Sequence, residues 1–400
     1  MTQSLKALAL KRPALPILVS ILLIVTLCAH TAIVKKPPPY RVVTEAARNV
    51  VQGQNPYAPQ PNLDFFKYSP LAGLAMLPFS LLPDAWGTFL FLLFQCLLFL
   101  WAFGRWARAA GYDLSRSVAA QWIALASVLL DATASLQNGQ WNVGLFALML
   151  LGAAQYAEGK SARAGLVLSL ATNLKLYPFA LGLCLLTGLK KRFWGPFLGG
   201  LVLWFLLPSL LIGTGKNLRL LREWFGLMSW DLTREREMLD IGSFLSIHFN
   251  VDPSLRTPLA VFVGLVIGAL TFHLFRKGKE QLVHRFVIPL NGLYVLLFSY
   301  LSESPTSVLA TAGIFVIGMQ ALEDERHRRV YWLLWIFSLA LIPVSYSDLV
   351  PHAASEWARG LRLKTVGYVY LTLVLGMLLW KRYSARVSPG VPPANVLPYT

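Results

Sequence analysis

Apolar runs long enough to cross a bilayer recur along almost the whole chain. A helix rises 1.5 Å per residue, so about 20 apolar residues match a hydrocarbon core of about 30 Å. The pattern predicts twelve crossings, over 12–32, 85–104, 117–134, 141–157, 161–174, 176–189, 194–213, 257–275, 286–301, 305–321, 329–346 and 363–380. The segments between them are of two kinds. Segments 1–11, 105–116, 158–163, 190–193, 276–285, 322–328 and the stretch after 380 are short and basic. Segments 33–67, 214–256 and 347–362 are long and mixed. With the N-terminus in the cytoplasm, every short basic segment falls on the cytoplasmic side, as the positive-inside rule requires. Long loops report charge weakly, so their basic residues do not oppose this orientation.

Two stretches depart from simple spans. Tyr68 to Pro83 is apolar but short and carries Pro70, Pro78 and Pro83. It is expected to stay on the outer side as a re-entrant or interfacial helix, the alternative being an ordinary short span. Residues 161–189 are broken by a charge-bearing turn into two arms, each too short for a full hydrocarbon core. Broken backbone at that depth needs protein or a wet cavity around it. In the first outer loop, Pro37 to Pro39 predict a stiff extended stretch. Thr44 to Val51 predicts a short helix stopped by Gly53, followed by a turn at Asn55-Pro56-Tyr57. In the second, Trp224 to Trp230 is amphipathic enough to lie on the bilayer surface.

Composition narrows the class. The chain has 400 residues, 56% hydrophobic and only 14% charged. A soluble domain carries about 25% charged residues, so no sizeable soluble domain is left over. The formal charge of +17 does not signal nucleic acid, because the Lys and Arg sit in clusters between apolar runs. Cys28, Cys96 and Cys184 lie inside apolar segments and read as small buried hydrophobes. The first apolar run is expected to be a retained helix rather than a cleaved signal. Residues 1–387 read as one transmembrane domain, with 388–400 a Pro-rich cytoplasmic tail. The fold class is an all-α polytopic membrane protein.

The chemistry concentrates in two polar knots at the ends of apolar hairpins. One is Gln137-Asn138-Gly139-Gln140-Trp141-Asn142; the other is Asn173-Leu174-Lys175-Leu176-Tyr177-Pro178. Amides and a lysine at such positions are costly unless they face a polar cavity. The basic clusters put both knots on the outer side, as two walls of one cavity. For Lys175 the competing reading is snorkelling to nearby headgroups.

Four motifs in order carry a family resemblance. They are A-A-x-x-V-x-x-G-x-N-P-Y from Ala46 to Tyr57, F-K-Y-x-P from Phe66 to Pro70, G-Q-x-N from Gly139 to Asn142, and K-L-Y-P from Lys175 to Pro178. In this the chain resembles the bacterial polyprenyl-phosphate-mannose-dependent glycosyltransferases of the GT-C membrane fold, which include mycobacterial mannosyltransferases of phosphatidylinositol mannoside synthesis. The resemblance implies a GT-C-type fold in the bacterial inner membrane, with a site open to the periplasm. It implies a polyprenyl phosphate sugar as donor and a lipid or lipid-linked glycan as acceptor. It also implies an aspartate shortly after the first helix as base. In this chain that position is Pro39, so the carboxylate must come from elsewhere.

Inverting transfer from such a donor needs a carboxylate, groups that hold the leaving phosphate, and an apolar groove. The outer acids are Asp64, Glu45, Asp240 and Glu303, with Asp64 ranked first as base and Glu45 second. Asp131 reads as a hydrogen-bonded structural group. Lys175 is expected to meet the phosphate, with Tyr177, Lys67 and Arg41 assisting. Gln137, Gln140 and Asn142 can bind sugar hydroxyls or hold the turn. Tyr68 and Glu303 complete the substrate-binding candidates. No histidine pair has ligand spacing, so no metal site and no cofactor is required. A divalent ion bridging Asp64 or Glu45 to the phosphate is compatible with the residues. Membrane lipids are the surrounding partner, nucleic acid is excluded, and a monomer is expected. The competing functional class is a transporter, flippase or non-catalytic binder of polyprenyl-linked sugars.

Overall fold

A computed structural model describes residues 14–59, 64–231, 238–300, 302–347 and 349–385. The basic stretch 1–11 and the tail 388–400 lie outside the described residues. Among the described residues every regular element is a helix. The chain opens with α1 (Leu15–Lys35). The first long segment holds α2 (Pro38–Gln52) and the short α3 (Pro70–Ala75). Then come α4 (Asp84–Ala109), α5 (Val118–Gln137), α6 (Asn142–Ala157), α7 (Ser161–Leu174) and α8 (Phe179–Leu186). After them follow α9 (Lys191–Ile212), α10 (Thr214–Asp231), α11 (Arg256–Arg276), α12 (Glu280–Phe298) and α13 (Ser304–Glu323). Then come α14 (Arg328–Leu339) and, after the short helix His352–Gly360, α15 (Leu363–Ser384).

Each of the predicted crossings has a helical counterpart. Among the described residues, eight helices are long and apolar enough to cross a membrane, namely α1, α4, α5, α9, α11, α12, α13 and α15. The rest, α6, α7, α8 and α14, are shorter. Burial separates centre from rim. In α13 89% of the most apolar window is buried, in α11 only 11%. The rim helices nonetheless expose large apolar side chains, among them Leu22 on α1, Phe262 and Leu265 on α11, and Met377 on α15. A helix apolar on its outward face has hydrocarbon as its solvent, and the chain is a multi-pass membrane protein.

The helices pack through small residues where backbones approach. A Cβ on Gly165 of α7 would sit 2.8 Å from both Phe193 O and Phe197 N of α9, so only glycine permits this crossing. At the start of α6, the buried Gln95 side chain of α4 accepts from Gly144 N at 3.0 Å. It satisfies one of the amides that a helix start leaves over.

Polar contacts sort the bundle into two ends. At one, Arg105 pairs with Glu158, Lys190 with Glu280 (3.1 Å), Arg285 with Glu323, and Lys381 with Asp324 (2.9 Å). Among the described residues, the short basic segments therefore meet at a single end of the bundle. The opposite end carries α2, α3 and α10, from the long segments.

Three local expectations need correction or refinement. The Pro37–Pro39 stretch is not extended throughout, because α2 already begins at Pro38. Proline suits the first helical turn, where its missing N–H has no intrahelical acceptor and its φ is preset. α2 ends at Gly53, φ +72°, as its sequence predicts. The Tyr68–Pro83 run forms two short helices, α3 and Leu77–Ser80, seated under α2. Trp224 to Trp230 belongs to the longer α10, whose Trp224 is fully buried in the protein while Phe225 and Trp230 stay exposed.

Candidate active site

The site forms where the two knots meet the first long segment. Gly139 has φ +63°, and a Cβ there would lie 2.8 Å from Pro37 Cγ and 3.1 Å from Tyr40 Cβ. Glycine therefore lets the first knot fit under the start of α2. Asn142, fully buried at the head of α6, donates from Nδ2 to Gln140 Oε1 at 2.7 Å. Its Oδ1 accepts from Lys175 Nζ at 3.1 Å, which ties the first knot to the second. Lys175 occupies extended backbone between α7 and α8, φ −154° and ψ +138°. Its ammonium lies 5.5 Å from the Tyr68 ring centroid and 5.4 Å from that of Tyr177. Burial pushes the Lys175 amine down, to about 8, and neighbouring Lys67 adds to this while Glu303 opposes it. The Tyr177 hydroxyl is buried with no hydrogen-bond partner among the described residues.

Lys67 is the second cation. Its Nζ lies 2.9 Å from Asp64, 3.8 Å from Asp231 and 3.9 Å from Glu303. The turn before it is fixed by Asn55, whose Oδ1 accepts from Tyr57 N at 2.9 Å, and by the Tyr57 hydroxyl, which donates to Tyr68 O at 3.1 Å. An Asx turn at the N-P-Y motif thus sets the path of the Phe66-Lys67-Tyr68 segment. From the other side, Trp224 Nε1 donates to Lys67 O at 3.3 Å. α10 is in this way anchored to the same three residues.

Glu303 is held from behind. Lys364 Nζ donates to Ser304 Oγ at 2.9 Å and to Ser307 Oγ at 3.3 Å. Ser307 Oγ donates to Asp131 Oδ1 at 2.7 Å. Asp131 and Lys364 are both buried, so a charge-bearing network inside the bundle fixes the turn that bears Glu303. This geometry fits the structural reading of Asp131.

Pro39, Asp64, Lys67, Gln140, Lys175 and Glu303 line one polar pocket of about 100 Å³, with Tyr68 among its walls. The position at which the resemblance expects an aspartate is thus on the pocket wall, and two carboxylates from other segments line it too. Lys67 and Lys175 also close one end of an adjoining apolar groove of about 400 Å³, walled by Tyr177, Phe179, Leu183, Tyr294 and Phe298. The groove continues past Leu183 and Tyr294 toward Trp194.

Asn142 stands behind the pocket and Tyr177 in the groove. Glu45 and Arg41 sit on α2, and Gln137 in the last turn of α5, and none of the three lines the pocket. Asp240 is buried elsewhere, capping the helix Ile241–Phe249 and pairing with Arg256 at 2.7 Å. Sequence reasoning missed Asp231, Trp224 and Lys364. Trp224 opens, and Asp231 directly follows, an amphipathic run whose inward face was assigned to the bilayer. Lys364 sits at a helix start beside Arg359 and Arg362, which masks it as one more terminal cation. Among the described residues no group of three or more His, Cys, Asp or Glu is arranged to hold a metal ion.

The arrangement combines a reachable carboxylate, two cations and an apolar groove around one point. It can deprotonate a hydroxyl, hold an anion and seat a long apolar chain. The sequence profile of glycosyltransferase family 87 matches residues 65–300, more than half of the chain. The matched stretch contains both knots, α10 and the groove. The chain is also 31% identical over 153 residues to GPI mannosyltransferase 1 of Gibberella zeae. That alignment covers 38% of this chain and 34% of the relative, so the chain spans about a third of the curated relative it matches. No solved structure matches.

Proposed function

Because the chain belongs to glycosyltransferase family 87, we propose that it moves a hexose, mannose or a close relative, from a polyprenyl phosphate to a lipid or glycan acceptor. The single observation that carries this reading is that Lys67 and Lys175 border both the polar pocket and the apolar groove. A ligand spanning that junction has an anion beside the lysines, a polar head in the pocket and an apolar chain in the groove. A polyprenyl phospho-sugar has that order of parts. The loop-bearing end is taken as periplasmic because the short segments at the opposite end are basic.

In the proposed step Asp64 takes the proton of the acceptor hydroxyl. The acceptor oxygen attacks the anomeric carbon, and the bond from that carbon to the phosphate oxygen breaks with its electron pair going to phosphate. One displacement inverts the anomeric configuration. Polyprenyl phosphate leaves with one more negative charge, which Lys175 and Lys67 stabilise while the Tyr177 hydroxyl donates to it. Asp64 suits the base because it is pocket-lining and its side chain is 58% accessible, so an acceptor can reach it.

The test is transfer by the protein in proteoliposomes supplied with a labelled polyprenyl phosphate mannose and, separately, with a nucleotide-linked mannose. Label leaving the polyprenyl donor for a new glycoside, and lost on Lys175→Ala and Asp64→Ala, is the expected result. No transfer from any polyprenyl phospho-hexose, together with sugar-dependent flux across the vesicle, would assign the cavity to transport instead.

A further inference from the structure

Away from the polar pocket and its groove, a further cavity of about 330 Å³ lies between α1, α4 and α5. It shares no lining residue with either. One stripe of α5 forms its back, where Gln121, Leu125, Val128, Leu129, Ala132 and Leu136 recur at helical spacing. Phe99, Leu100 and Phe103 of α4 form one side, and Ile17, Ser20 and Ile24 of α1 the other. From Gln121 to Leu136 a helix climbs about 22 Å, against about 30 Å for the whole hydrocarbon core. The cavity is therefore an upright crevice. It faces the bilayer, since Ile17 and Leu100 on its two lips are 55% and 40% exposed. Polar groups gather at its basic end. There Gln121 Nε2 donates to Leu114 O at 2.9 Å, which leaves the buried Oε1 without a partner among the described residues. Arg108 is exposed in the last turn of α4 at the same end. At the other end the lining includes Leu136 and Val143, which directly precede and follow the first knot.

We infer that this crevice holds one acyl chain of a phospholipid from the leaflet at the basic end, and that the chain is a wedge that sets the first knot. An apolar recess offers water no partners and fills with apolar matter. In a bilayer that matter is a lipid chain. The crevice is longer than one leaflet's share of the core, so it suits a single straightened chain. The ends fix its direction. Arg108 attracts the lipid phosphate, and an ammonium or hydroxyl of the headgroup donates to Gln121 Oε1. A choline head has no such donor. The far end of the chain then lies against Leu136 and Val143. Only 17% of the most apolar window of α1 is buried, so α1 has little protein packing of its own to hold it against α5. α1 leads through Pro37 into α2, and Gly139 of the knot sits against Pro37 and Tyr40. A chain that holds α1 to α5 thereby holds the knot under α2. The lipid site does not rest on the transferase reading; only its effect on turnover does.

The test places the full chain in nanodiscs with phosphatidylethanolamine that carries a diazirine at the end of one acyl chain, and maps the photoadducts by mass spectrometry. Adducts are expected near Ile24 of α1 and near Ala132 and Leu136 of α5, at least fivefold denser per residue than on the exposed faces of α11 and α15. They should fall at least fivefold in Ser20→Trp and in Leu129→Trp, which fill the crevice from two different helices, so one suffices if the other fails to fold. Gln121→Leu should keep the adducts and remove a preference, at least threefold in the native chain, for the ethanolamine over the choline lipid. Adducts spread evenly over the rim helices of the native chain overturn the inference, and that map needs no variant. So do adducts unchanged in both tryptophan variants, displacement of the label by polyprenyl phosphate, or crosslinks that join two copies of the chain through α1. In transfer assays the ethanolamine lipid should lower the donor KM at least threefold relative to lipid-free detergent, in the native chain but not in the tryptophan variants. A labelled crevice with a lipid-independent donor KM overturns the wedge. A labelled crevice with no transfer from any polyprenyl phosphate leaves the lipid site standing and removes the donor reading.

Discussion

Lys175 donates a 3.1 Å hydrogen bond to Asn142, and this one contact joins the turn between α5 and α6 to the turn between α7 and α8. It fixes the position of a cation at the end of an apolar groove without neutralising it, since an amide oxygen carries only a partial charge. Asn142 in turn is oriented by Gln140, so the amide has its oxygen toward the lysine.

Lys175→Met is expected to lower kcat about 100-fold or more, the scale of losing one donor to a developing charge. Lys175→Arg should recover part of that, because the charge survives but the hydrogen bond to Asn142 is misplaced. Asn142→Leu should raise the donor KM with a smaller effect on kcat. Steady-state kinetics on reconstituted protein separates the two.

Asp64→Asn is expected to reduce kcat by about 100- to 10,000-fold, the range for a general base, with the donor KM nearly constant. Glu303→Gln should act mainly on donor binding, since the Glu303 side chain is less accessible to an acceptor than that of Asp64, 37% against 58%. If Glu303→Gln abolishes kcat and Asp64→Asn does not, the base is Glu303.

The Lys175 amine lies well below its ordinary range, at about 8. In the proposed step the amine, charged below that pH, holds the phosphate, and the neutral amine above it does not. The donor kcat/KM should therefore fall as pH rises through about 8. The same limb should disappear in Lys175→Arg, whose charge does not titrate there. A pH–rate profile of kcat/KM measures this in the free enzyme.

Removing one partner of the Asp131–Ser307–Lys364 network leaves a buried charge alone. Asp131→Asn or Lys364→Met alone should destabilise by about 3–5 kcal/mol, the usual cost of breaking a buried pair. The double variant should recover much of the loss. Thermal melts in detergent, arranged as a double-mutant cycle, give the coupling directly.

Gly139→Ala combines a left-handed backbone, worth about 1–2 kcal/mol, with a contact to Pro37 that must give way. Both a lower melting temperature and a weaker donor KM are expected, because the displaced knot carries Gln140 and Asn142.

Much of this was legible in the sequence because a bilayer imposes strict rules. The lengths of the apolar runs correspond to the helices, and the basic clusters group the segments into the two ends of the bundle that ion pairs such as Lys190–Glu280 mark. Lys175, Lys67, Gln140 and Asp64 were visible as polar groups in places where polarity needs a reason, and one pocket gathers them. Asp231 and Trp224 were not visible, because an amphipathic helix does not say whether its apolar side meets lipid or protein. Pro38 illustrates the reverse error: a proline run was read as extended, although proline also opens helices.

The groove walled by Phe179, Leu183 and Phe298 has one further consequence. Phe179 and Leu183 are partly exposed on the apolar flank of the bundle, so a chain in the groove arrives sideways from the hydrocarbon. The donor's concentration is then counted per lipid molecule, not per litre. Doubling the vesicle lipid at fixed protein and donor should slow the reaction, while doubling the water around the same vesicles should dilute only a soluble acceptor. On the proposed reading the reaction would take place at the meeting of two phases, each substrate metered by its own.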